Sequence, residues 1–135
     1  MPRQNKQRVA DVVEVMVLPT NRDSVALCSR WGQQQWGFLR TTRNVRIMPR
    51  DLAQSHTQAV FNLNIAGGRF EEVFRYKNGH AVYIYSVALT EVEASKLLRS
   101  GRRLDVNVQY FQKQTLRPGA FPFDRPTLGA IRADL

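Results

Sequence analysis

The chain has 135 residues, 43% hydrophobic and 23% charged, which suits one compact domain with a core that needs neither disulfide nor metal and excludes wholesale disorder. Lysine and arginine outnumber acids 20 to 11, for a net charge of +9, so the molecule attracts polyanions, nucleic acid first among them. No stretch approaches the roughly 20 apolar residues of a bilayer span and no apolar leader follows the start, so the expectation is a soluble protein or a soluble part of a larger one.

Residues 1–9 are basic, polar and free of acids. They read as a flexible arm, with Arg3, Lys6 and Arg8 as phosphate contacts, ahead of a single domain over 10–135. As a mitochondrial targeting peptide this arm is too short and lacks an amphipathic repeat. Asp11–Leu18 has the β-branched, apolar composition of a buried strand, Pro19–Asp23 carries turn chemistry, and Ser24–Ser29 returns as a second strand. Cys28, the only cysteine, falls in this apolar run as a core thiol. It excludes an internal disulfide and points to an intracellular reducing compartment, mitochondrial matrix or cytoplasm.

A short third strand is expected over Gln35–Leu39, then a loop over Arg40–Met48. Pro49 opens a helix with Leu52, Ala59, Val60 and Leu63 near one face, and Gly67-Gly68 is expected to close it. Arg69–Tyr76 and Ala81–Leu89 are strands about a turn containing Asn78-Gly79, a strong hairpin signal. The second of them is apolar on both faces, which predicts a place inside a covered sheet. Thr90 and Glu93 have capping-box spacing for a helix over Glu91–Arg99 that stops near Gly101. Val106–Gln112 is the last strand, and Thr127–Asp134, after Pro126, the last helix. The order is β-β-β-α-β-β-α-β-α, a mixed α/β (α+β) domain.

This order, with the run Ser24–Arg30, then Gln35-Trp36-Gly37-Phe38-Leu39, and the closing segment Phe121–Arg132, resembles the Nudix family over most of the chain. The resemblance implies an α/β/α sandwich with a mixed central sheet. It also implies a site on the first long helix, where the family's box reads G-x5-E-x7-R-E-U-x-E-E-x-G-U, U being aliphatic. Glutamates at that spacing stand on one helix face and converge on magnesium ions that hold a diphosphate and activate water. Laid on this chain, the box puts Asp51 at the first glutamate and Ala59 at the arginine. Val60, Leu63 and Asn64 take the other glutamates, and Ala66 the glycine. No register helps, because 52–70 contains no acid. Hydrolysis by the family's chemistry is disfavoured, and neither catalytic residues nor a metal or other cofactor are expected.

Other acids have structural explanations. Glu71 and Glu72 are adjacent on a strand and face opposite sides, and Glu91 and Glu93 open a helix. His56 and His80 lack ligand-spaced companions, and neither a P-loop nor a nucleophile elbow is present. Arg40, Arg43, Arg46 and Arg50 form the most suggestive group, guanidinium forks on irregular backbone, suited to phosphate. Trp31 and Trp36 just upstream are candidates for stacking on unpaired bases, weighed against plain core packing. Arg99, Arg102 and Arg103 make a weaker cluster that a helix dipole already explains. The leading expectation is a catalytically inactive Nudix-like domain that binds RNA or serves as an architectural subunit of a ribonucleoprotein, ribosomal or RNA-processing, alongside other protein subunits. Two alternatives stand beside it: a divergent magnesium-dependent hydrolase of nucleoside diphosphate derivatives, and a structural subunit of a complex without RNA.

Overall fold

The computed structural model describes residues 13–30, 35–40, 48–77, 79–103, 106–117, 119 and 122–134. A six-stranded mixed sheet forms the middle layer, from β1 (Val13–Asn21), β2 (Ser24–Arg30), β3 (Leu39–Arg40), β4 (Phe70–Lys77), β5 (Ala81–Ala88) and β6 (Val106–Gln112). Their order is β4-β5-β1-β2-β6, with β3 attached to β1. β1 and β5 run parallel from Val13↔Ala81 to Thr20↔Ala88, and the other pairs are antiparallel. Among the described residues, three helices flank the sheet: α1 (Pro49–Phe61), α2 (Glu91–Arg103) and α3 (Arg125–Asp134).

Alternation along the strands divides the core in two. Val15, Val17, Ala26, Tyr85 and Val87 face one side, where Leu52, Ala53 and Phe61 of α1 and Ala94 and Leu97 of α2 cover them. Met16, Leu18, Val25, Leu27, Val82 and Ile84 face the other, under Phe38, Phe123 and Ala130 and Ile131 of α3. The result is the expected α/β/α sandwich. β5 contributes to both cores from between β4 and β1, as its two apolar faces require. Leu97 is fully buried, and truncating such a leucine to alanine costs about 2–5 kcal/mol.

Several boundaries differ from the sequence expectation. β1 continues through Pro19 to Asn21, leaving only Arg22-Asp23 as the turn, with Arg22 left-handed at φ 57°. Pro19 falls between the residues that pair with β3 and those that pair with β2, a position that tolerates a residue without an N–H. The third strand is Leu39–Arg40. The residues before it pair singly, Gly37 with Cys28 and Trp36 with Phe123, as the segment passes between β2 and the approach to α3.

α1 stops at Phe61 because Asn62 takes the left-handed conformation (φ 55°, ψ 37°), and Gly67-Gly68 belong instead to a 3-10 turn. Leu63 is therefore not on the helix. It alternates with Ile65 into the first core from extended backbone, while Ala59, expected on the buried face, is exposed. α2 runs past Gly101 to Arg103. α3 begins two residues early, because Asp124 caps it by accepting the Thr127 N–H at 2.9 Å. The capping box forms as expected: Thr90 N–H donates to Glu93 Oε1 at 3.0 Å and Glu93 N–H to Thr90 Oγ1 at 3.2 Å.

Candidate functional site

The arginine loop is described at its two ends. Arg40 pairs with Met16 across the β1–β3 ladder and so points to the second face of the sheet, the α3 side. There its Nε lies 3.1 Å from Glu14 Oε2, and Glu14 Oε1 lies 2.8 Å from His80 Nε2. The Glu14 carboxylate is 13% exposed and bridges a guanidinium that is 36% exposed. Tyr76 stands close enough to sense both. Burial raises its phenol above the usual range, the Glu14 charge adds to that, and Arg40 opposes it. From the helix side, His56 lies near the Arg40 backbone, which favours its charged form, while burial, the larger effect, pulls its pKa below the ordinary histidine value. Both histidines of the chain thus converge on the residue from which the loop departs.

Arg50, at the other end of the loop, sits on the first face, its guanidinium carbon 6.0 Å from the Tyr85 ring centre. The two described arginines therefore stand on opposite sides of the sheet. Arg43, Arg46, Trp31, Arg3, Lys6 and Arg8 lie outside the described residues. Trp36 is half-buried, meets Phe111 edge-on at 5.2 Å and packs against the second core, the role weighed against base stacking. Phe38 is buried outright, its N–H donated to Thr127 Oγ1 at 3.0 Å.

The pairing of Glu14 with His80 and Arg40 escaped the sequence reading. The available signal was a lone acid within the apolar run Val12-Val13-Glu14-Val15-Met16-Val17, a placement that demands a partner. Arg69 was also passed over. It holds Glu93 with both terminal nitrogens at 2.8 and 2.7 Å and donates to the Ala88 carbonyl at 2.8 Å, tying the 3-10 turn to the start of α2.

The fold is that of Nudix proteins. Structures that superpose on this chain include a mutT/nudix family protein from Listeria innocua, with 10% identity, 90% of each chain covered and a TM-score of 0.65. The MutT structure described for Aliivibrio salmonicida and Vibrio cholerae has 9% identity, 93% and 99% coverage and a TM-score of 0.64. A chain in the complex between the C-terminal domain of mouse MUTYH and human PCNA also superposes, with 9% identity, 92% and 88% coverage and a TM-score of 0.52. No family model matches the sequence, and no curated protein matches it. The shared property is therefore the fold.

The donors on α1 do not fit the magnesium ions that this fold carries in hydrolases. Asp51, exposed in the first turn, is the helix's one acid. The box positions at 63 and 64 fall beyond the helix end, Leu63 turned into the core and Asn64 exposed. Among the described residues, no three His, Cys, Asp or Glu side chains are grouped to hold a metal. Glu71 and Glu72 oppose Ser86 and Tyr85 on opposite faces of the β4–β5 ladder, and Glu72 is held by Arg75 at 2.9 and 3.0 Å. Among the described residues no helix is long and apolar enough to cross a membrane.

Proposed function

We propose that this chain is a non-hydrolytic Nudix-like domain that binds RNA as a subunit of an RNA–protein assembly. The observation that carries the reading is a reversal of charge. Where a Nudix hydrolase concentrates carboxylates, this chain has Arg40, Arg43, Arg46 and Arg50, then one acid, Asp51, before Glu71. Guanidinium groups in that number favour phosphate oxygens, and the net charge of +9 adds a long-range attraction. Arg40 supports the reading further, because Glu14 engages it through Nε, and among the described residues no other ion pair holds its guanidinium. The mouse MUTYH–human PCNA complex supports a place in an assembly, since a chain of this fold is one of its members.

The test is binding to unstructured single-stranded RNA across a salt series. Each neutralised phosphate contributes about 0.7 to the slope of log affinity against log salt, so four loop arginines give a slope near about −3. Replacing Arg40, Arg43, Arg46 and Arg50 by glutamine removes that slope. An absence of binding at low salt rejects the reading. A parallel assay for magnesium-dependent turnover of nucleoside diphosphate derivatives decides the hydrolase alternative, which requires turnover that disappears with Asp51→Asn or Glu71→Gln.

A further inference from the structure

α3 has ten residues, about 15 Å of helix, whereas β1 and β5 have nine and eight, about 27 Å of strand. The helix cannot cover its whole sheet face. It packs over the half nearest the β4–β5 turn, where Gly129 approaches the Tyr76 hydroxyl. Over the other half lies a cavity of about 360 Å³ that no α3 residue lines. Its volume falls at the lower end of the range for small-molecule sites, about 300–1,000 Å³.

The floor is Leu18 and Val25, both buried, and Val73 and Leu116 form apolar walls. Val73 owes its place to a β-bulge: the register between β4 and β5 shifts between Glu72 and Phe74, and Val73 is the extra residue. Bulges re-aim side chains, and this one leaves a valine 49% exposed at the cavity wall. The rim carries the hydroxyls of Thr20 and Ser86 and, on the β6 side, Lys113, which makes no ion pair among the described residues. Among the described residues, Lys113 is the one charged member of the lining, and Glu71, which faces Ser86 across the β4–β5 ladder, lies beyond the lining on the opposite, β4 side.

We infer that this cavity binds a small amphipathic molecule with an apolar body and one terminal anionic group. The body lies on Leu18, Val25, Val73 and Leu116. The anion points to Lys113, away from Glu71. This site is separate from the arginine loop and does not depend on RNA binding.

Octanoate and octanol, titrated separately into the isotope-labelled full chain, test the inference through amide chemical shifts. Octanoate is expected to shift Leu18, Thr20, Val73, Ser86 and Lys113 together, with octanol binding about tenfold more weakly, the worth of one hydrogen bond to a charged group. Lys113→Gln is expected to bring octanoate down to the octanol affinity, and Val73→Asp to abolish both. Both positions are exposed, so the remainder of each variant's spectrum should stay native. No octanoate binding, shifts scattered over the basic surface, or affinity unchanged in both variants would overturn it.

Discussion

Arg40 reaches across from β3 to Glu14 on β1, its Nε 3.1 Å from the carboxylate. An acid this enclosed within a valine-rich strand persists only because both its oxygens are engaged, the second by His80 at 2.8 Å. Glu14→Ala leaves a guanidinium and an imidazole without their acceptor and is expected to cost about 1–3 kcal/mol by urea denaturation. In a cycle with Arg40→Ala the coupling should be about 0.5–1 kcal/mol, because the arginine is partly in water. A purely additive cycle would show that the contact carries no stabilising energy.

The Arg69–Glu93 pair makes stability depend on acid. The Arg69 guanidinium, then the Thr90 backbone, hold the Glu93 carboxyl at about 2, below its ordinary 4.5. A carboxyl whose folded pKa is depressed contributes stability that is complete above the unfolded value. That stability drains away as pH falls from 4.5 towards about 2. Glu93→Gln should therefore lower the melting temperature at neutral pH by a few degrees, for a partly exposed pair worth about 0.5–1 kcal/mol. The gap between variant and parent should narrow below pH 4.5 and close only as pH falls through about 2. An equal gap at both ends of the range would assign the effect to packing.

Local features were the legible ones. Thr90 and Glu93 are three residues apart and form their box as read; Val106–Gln112 is a strand as read, and the element order matches a Nudix sandwich. What stayed hidden was non-local or ambiguous. Glu14 meets His80 across 66 residues, and no periodicity announces such a pair. The end of α1 was misplaced because Gly67-Gly68 is the stronger stop by composition. Yet Phe61, Leu63 and Ile65 already alternate with Asn62, Asn64 and Ala66, the period of extended chain. His56 and His80 are likewise far apart in sequence, yet both come near Arg40, one at its backbone and one through Glu14.

Cys28 should be chemically quiet. Burial, and then the negative field of Asp124, push its thiol from 9.0 up to about 12. That rise lowers the thiolate fraction at mildly alkaline pH on the order of a thousandfold, and labelling by iodoacetamide slows in proportion. A group with a raised folded pKa contributes stability that is present below the unfolded value of 9.0 and lost as pH climbs towards about 12. Labelling at about pH 8 should accelerate only where urea begins to unfold the chain. Native-state labelling at the rate of a free peptide thiol would contradict this placement.

Gly37 and Asp124 are the remaining pair to test, because they join β2 to the start of α3. Gly37 exchanges two backbone hydrogen bonds with Cys28, and Asp124 donates its N–H to the Trp36 carbonyl at 2.9 Å while capping α3 through Thr127. A Cβ at position 37 would fall on the Asp124 carboxylate. That side chain can swing aside only by releasing the Thr127 N–H, so Gly37→Ala should cost at least the cap, about 1–2 kcal/mol. Asp124→Ala loses the same cap for a similar cost. Once Asp124 is an alanine, the carboxylate in the way of Gly37→Ala is gone, so the double variant should be little worse than either single one. Urea denaturation of the four proteins measures this directly. Costs that simply add would mean that the two positions do not contend for one space.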